Sequence, residues 1–125
     1  MTGLTLDAGA LIAFEKNDRR VVTLIARAVE REALILIPSG VVGQVWRDGS
    51  RQARLVRLLA SDAVSVEVLD DMRARQAGQL CGVSGTTDIV NASVVLCARA
   101  HGHCVATSDG GELRRLDPGI SIFAV

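Results

Sequence analysis

Apolar residues along this chain recur either in short continuous runs or at helical spacing, and the alternation between the two sets out an order of elements. Gly3 to Leu6 reads as a first strand, followed at once by Asp7 and a short helix from Ala8 to Glu15. Asn17 and Asp18 are candidate caps for the next helix, which carries Val21, Val22, Ile25, Ala28 and Val29 on its inner side up to about Arg31. Ala33 to Ile37 is a continuous apolar run of the kind buried on both faces in a parallel sheet. Pro38 ends it, and Ser39 offers a cap for a helix containing Val41, Val42, Val45 and Trp46. A further helix, Arg51 to Ala60, presents Leu55, Leu58 and Leu59, after which Val64, Val66 and Val68 alternate as a strand does. Asp70 and Asp71 open a helix to about Leu80, and a loop from Gly82 to Gly85 follows. Thr86 or Thr87 is the expected cap of a long helix from Asp88 to Ala100, closed by Gly102. His103 to Ala106, Asp109 to Leu116 and Ile120 to Phe123 then read as strand, helix and strand.

The order βααβααβααβαβ is that of an α/β domain, with a central, mostly parallel sheet flanked by helices. At 125 residues and 49% hydrophobic content, residues 1–125 are expected to form one domain around one core. No apolar run approaches the roughly 20 residues that span a bilayer, so a cytoplasmic protein without membrane contact is expected. The charges cancel, 14 basic against 14 acidic, so no whole-molecule field draws the chain onto nucleic acid. Any RNA contact has to come from a local patch. Thirteen of the cations are arginine, a bias that suits bidentate phosphate contacts but that GC-rich coding explains better. Cys81, Cys97 and Cys104 are an odd set without metal or redox spacing and read as small core residues. His101 and His103 flank Gly102 at a helix end, a structural arrangement rather than a zinc site.

In a parallel α/β sheet, ligands gather beyond the carboxyl ends of the strands, where Asp7 and Asp109 fall. Asp88 stands in the first turn of the long helix, where the helix dipole alone favours a carboxylate. Taken singly, each aspartate is explained as a cap. Taken together, three converging carboxylates repel unless a cation lies between them, and Mg²⁺ or Mn²⁺ suits oxygen donors and the activation of water against a phosphodiester.

Four segments bring the aspartates together: L-T-L-D-A-G-A-L-I-A, I-P-S-G-V-V-G-Q-V-W-R, T-T-D-I-V-N-A-S-V-V-L-C-A and V-A-T-S-D-G-G-E-L. In order and spacing they resemble the successive signature segments of PIN domains, and most nearly those of VapC toxins from VapBC toxin-antitoxin modules. The resemblance implies a parallel sheet between helices and Mg²⁺- or Mn²⁺-dependent RNA cleavage that leaves 5′-phosphate and 3′-hydroxyl ends. It also implies a VapB-like antitoxin partner and a homodimer. Asp7, Asp88 and Asp109 fall on three of the family's acidic metal positions. Where the second segment usually supplies glutamate this chain has Gln44, which removes one charge and implies weaker metal binding. A catalytically weakened domain that acts by binding RNA or antitoxin is therefore the alternative.

Asp48, one helical turn beyond Gln44, is a candidate substitute carboxylate, although a solvated surface acid explains it better. Asn91, at i+3 from Asp88, shares its helix face and can hydrogen-bond a phosphate or a water. Glu112 lies near Asp109 in sequence, and the Thr107 and Ser108 hydroxyls can orient that carboxylate or serve strand-end turn chemistry. Arg47, Arg51 and Arg54 recur at helical spacing as a candidate RNA-binding stripe. Trp46, the single tryptophan, is expected in the core or at an interface. Two other classes fit poorly. A phospho-accepting receiver domain wants a lysine after a late strand, whereas Lys16 is the one lysine, and the glycines form no nucleotide-binding loop.

Overall fold

The five apolar runs form one sheet, strand order β3-β2-β1-β4-β5, in which every neighbouring pair is parallel. The computed structural model describes residues 3–125. Its strands are β1 (Gly3–Leu6), β2 (Leu34–Pro38), β3 (Val64–Glu67), β4 (Cys104–Thr107) and β5 (Ile122–Ala124). Its helices are α1 (Ala8–Glu15), α2 (Arg19–Glu30), α3 (Ser39–Val45), α4 (Ala53–Ala60), α5 (Asp71–Ser84), α6 (Ile89–His101) and α7 (Gly110–Leu116). The element order is the one the hydrophobic pattern predicts, with a 3-10 turn, Gly49–Arg51, added between α3 and α4.

β1 lies at the centre and is buried along its whole length, with Leu4 and Leu6 excluded from solvent beside Ile35 and Ile37 of β2. One helical layer packs α1 with α2 and α4; the other lays α6 across β1 and β2 and covers it with α5 and α7. Helix α6 buries Ala92, Val94, Val95, Cys97 and Ala98, so it is apolar nearly all round, as a helix wedged between a sheet and further helices must be. Helix α2 is amphipathic in the ordinary way: Val21, Ile25 and Ala28 face inward while its arginines face solvent. Val29, expected inside, is 45% exposed. Among the described residues no single helix is long and apolar enough to cross a membrane.

Several local readings change. Ser39 is the first residue of α3 and not its cap; its hydroxyl accepts from the Leu69 amide and ties α3 to the end of β3. Helix α5 runs through the expected Gly82 to Gly85 loop and stops at Gly85, whose φ of 71° is the left-handed conformation that glycine adopts without strain. Neither Thr86 nor Thr87 caps α6; Asp88 does. Helix α3 ends at Val45, leaving Trp46 outside it and 41% exposed, so that of the two expected places, core or interface, the core is excluded. Val66 and Val68 keep the alternation but are exposed, because β3 is an edge strand.

Asp18 caps α2 by accepting the Arg20 amide at 3.0 Å and the Val21 amide at 3.5 Å. Asp18→Ala is expected to cost about 1 kcal/mol of stability, the usual worth of an N-cap, as read from urea unfolding.

Candidate metal and substrate site

The strand order reverses direction between β1 and β4, because the chain builds β1, β2 and β3 outward on one side and returns to add β4 and β5 on the other. Such a switch point opens a crevice at the carboxyl edge, since the connections leaving the two central strands turn away from each other. Asp7 follows β1 immediately and Asp109 stands two residues beyond β4, one on each side of the crevice. Helix α6 feeds β4 through the tight Gly102 turn and so runs back against the strands, which brings its N-terminal Asp88 to this same edge.

Two close approaches hold the surrounding helices together. A Cβ on Gly9, in the first turn of α1, would lie 1.9 Å from Ser108 Oγ and 2.8 Å from Ser108 Cβ. A Cβ on Gly40, in α3, would meet Val90 of α6 at 3.2 Å. The first contact presses the β1 and β4 exits together. The second brings the start of α3 against the start of α6, and Gln44 follows Gly40 one helical turn later.

The three aspartates differ in their bonding. Asp7 caps α1, its Oδ1 accepting the Ala10 amide at 2.9 Å, and it is only 5% exposed. Burial raises its pKa above the ordinary carboxylate range, and the negative charge of Asp109 pushes the same way. The Thr107 hydroxyl and the Ala10 and Gly9 amides oppose the rise. Asp88 caps α6, its Oδ1 accepting the Asn91 amide at 2.9 Å, and it is exposed. Asp109 precedes α7 without capping it; its own amide donates to Thr107 Oγ at 2.8 Å and its carboxylate faces solvent. Capping thus explains one oxygen of Asp7 and one of Asp88, and nothing of the Asp109 carboxylate. Buried Thr107 touches both acids across the crevice: it accepts the Asp109 amide and bonds the Asp7 carboxylate.

Two carboxylates at a crevice, one buried and resisting ionisation, fit a hard divalent cation, since Mg²⁺ takes one or two carboxylates and completes its shell with water and phosphate oxygens. A fuller cage is not assembled: among the described residues no three His, Cys, Asp or Glu side chains stand close enough to hold an ion. Gln44 is exposed on α3, and Asn91 is half-buried in the first turn of α6. Glu112 is exposed in the first turn of α7.

The remaining candidates are placed differently from expectation. Arg47, Arg51 and Arg54 do not share one helical face, because the chain leaves α3 at Trp46, makes the 3-10 turn and breaks again at Gln52 before α4. Arg47 donates to the Gly43 and Trp46 carbonyls, while Arg51 sits 3.7 Å from Asp48. Asp48 is no substitute ligand one turn along a helix; its Oδ1 accepts from the Ser50 amide and hydroxyl, and these bonds lower its pKa. Gln52, which the sequence reading passed over, holds this segment. Its amide donates to Glu15 and to the Val45 carbonyl while its Oε1 accepts the Arg47 and Asp48 amides. A glutamine between two helical patterns carries no sequence signal for that role.

The histidines are structural. His103 is buried with Nδ1 3.0 Å from Thr5 Oγ1, and burial lowers its pKa, with His101 adding to the effect. His101 lies 3.1 Å from Glu67. Burial works against the ionised Glu67, but the Cys97 thiol, His101 and Arg73 together bring its pKa below the usual glutamate range.

The parallel 3-2-1-4-5 sheet between helices matches the PIN-like fold of solved toxin-antitoxin structures. Solved structures with this fold match the chain over almost its full length. VapBC2 from Rickettsia felis, bound to a DNA fragment from its promoter, superimposes with a TM-score of 0.71 at 15% identity, covering 98% of each chain. FitAB bound to an IR36 DNA fragment gives a TM-score of 0.68 at 15% identity, over 97% of this chain and 94% of that one. FitAcB from Neisseria gonorrhoeae gives 0.64 at 17% identity, over 96% of each. These neighbours are PIN-domain toxin-antitoxin proteins. No family model and no curated protein matches the sequence.

Proposed function

We propose that this chain is a VapC-type toxin, an endoribonuclease dependent on Mg²⁺ or Mn²⁺, which pairs with a VapB-like antitoxin and acts as a cytoplasmic homodimer. The observation that carries the reading is the meeting of buried Asp7 with Asp109 through Thr107 at the switch point of the sheet. A structural cap has no need of a second carboxylate beside it, whereas a cation site does. Asp7 and Asp109 are the residues that would hold the metal, with Asp88 at the same edge of the sheet reaching it through a bound water, and the metal's charge would lower the pKa of a water and offset charge developing on the phosphodiester.

The chain's own groups then have separable tasks. Thr107 ties the Asp7 carboxylate to the Asp109 backbone, and the Gly9–Ser108 contact holds their two loops in register. Gln44 and Asn91 supply neutral hydrogen-bonding groups for a phosphate oxygen or a water. Arg51 and Arg54, exposed beyond α3, contact RNA backbone as separate points rather than as a stripe. Arg47 serves the same strand only after exchanging its carbonyl partners for phosphate. The two-component character of the FitAB and VapBC2 neighbours supports the antitoxin partner.

Gln44 favours a second reading, in which the domain binds RNA or antitoxin and cleaves poorly. RNA cleavage with Mn²⁺ by the wild type, Asp7→Asn and Gln44→Glu separates the two. Wild-type cleavage that disappears in Asp7→Asn supports the enzyme; an inactive wild type whose activity Gln44→Glu restores identifies the binding domain. If the wild type cleaves, Gln44→Glu is expected to lower the Mg²⁺ concentration for half-maximal rate about tenfold, the effect of roughly 1.4 kcal/mol from one added charge.

A further inference from the structure

Away from the aspartates, the exposed face of α2 from Arg19 to Arg27 and the middle of β5 line a pocket of about 290 Å³. Leu24 and Phe123 supply its apolar surface, Thr23 one hydroxyl, and Arg19, Arg20 and Arg27 its cationic rim. All three arginines are exposed, and among the described residues none of them forms an ion pair. The nearby acid, Asp18, is committed to the Arg20 and Val21 amides at the helix cap. In a chain of zero net charge, this corner sets three arginines around an apolar hollow against the single charge of the capping Asp18.

The pocket also adjoins an open sheet edge. Among the described residues β5 has one strand neighbour, β4, and bonds to it through the Ser121 carbonyl and the Val125 amide. Backbone alternation turns the amides and carbonyls of Ile122 and Ala124 outward, with Phe123 between them reaching the pocket.

We infer that this corner docks an extended acidic peptide segment of a protein partner: an apolar side chain fills the pocket, flanking carboxylates meet Arg19, Arg20 and Arg27, and the peptide backbone pairs with the free edge of β5. The chemistry favours peptide over nucleic acid. Guanidinium groups are donors only, so a buried nucleobase would leave its own N–H groups with the Thr23 hydroxyl as their one side-chain acceptor. A leucine or phenylalanine side chain brings no polar group to satisfy, and carboxylates match the arginine forks. A strand edge pairs with peptide backbone and gives nothing equivalent to a sugar-phosphate chain.

The test is fluorescence anisotropy of the full chain with a short labelled peptide that alternates Asp or Glu with Leu or Phe. Saturable binding is expected, falling about tenfold or more in the Arg20→Glu, Arg27→Glu double variant. It is expected to fall similarly for the peptide with its carboxylates amidated and for the one with serine at its apolar positions. Both substitutions are on an exposed helix face, and an unchanged unfolding temperature checks that the double variant remains folded. No saturable binding, or binding unaffected by the charge reversal, overturns the inference. Equal binding of the serine peptide reduces the site to diffuse charge, and tighter binding of an oligouridylate that the double variant loses makes it a nucleic-acid site; either result also overturns it. The outcome is independent of RNA cleavage, which the Asp7 variants report separately.

Discussion

Replacing Asp7 with asparagine is expected to abolish metal-dependent cleavage and at the same time make the metal-free protein more stable. Asparagine keeps a carbonyl oxygen for the Ala10 amide, so the cap of α1 survives. It removes a buried negative charge whose ionisation burial and Asp109 both oppose. Because the folded pKa lies above the unfolded value, the protonated form is the one the fold favours. That stabilisation is complete below the unfolded pKa and is lost as pH rises through the folded pKa. At neutral pH the wild type therefore carries a cost that the variant lacks. Tm in the presence of chelator is expected to rise by a few degrees, on the scale of roughly 2–8 °C per kcal/mol. Cleavage should fall by about 10²-fold or more, the scale for removing one pre-placed group at a reacting centre. Added Mn²⁺ should stabilise the wild type and leave the variant unmoved. A variant less stable than the wild type in chelator, with cleavage retained, would assign Asp7 to capping alone.

Gly9→Ala is expected to damage the site without touching a candidate ligand. The new methyl would stand 1.9 Å from Ser108 Oγ, 2.8 Å from Ser108 Cβ and 3.1 Å from the Ser108 amide. Rotating the hydroxyl away answers only the first of these. The β4 to α7 loop must move, carrying Asp109 away from Asp7. Overpacking of this kind costs about 1–3 kcal/mol, and metal-dependent activity should fall further than stability alone explains. Ser108→Gly removes both side-chain clashes, so the double variant should recover most of the loss. A double-mutant cycle in urea unfolding and cleavage measures that coupling. Additive effects would mean that the two loops are not held by this contact.

The neighbours' low identity agrees with how this fold is encoded. Leu4, Leu6, Ile35, Ile37 and Val105 are needed as buried apolar volume in a parallel sheet, and many sequences meet that need. Two strand exits brought close at the switch point need small residues, and Gly9 supplies one by having no Cβ to meet Ser108.

Hydrophobic periodicity by itself determined the order of all twelve regular elements, the α/β class and the placing of Asp7 and Asp109 just beyond strands, because burial of one sheet between two helical layers leaves a local imprint on sequence. It erred where local chemistry has several equivalent solutions: which of Thr86, Thr87 or Asp88 caps α6, whether Gly82 stops α5, and whether the chain stays helical from Gln44 to Arg54. The last error produced an arginine stripe that a turn and Gln52 break up. Tertiary structure alone decided which aspartates meet. Thr107 joins Asp7 to Asp109, residues distant in sequence, because β1 and β4 are neighbours only after the chain has built the other half of the sheet. A carboxylate at a strand end reads as a cap until its neighbour across the crevice is known, since the charge it must share lies on another strand.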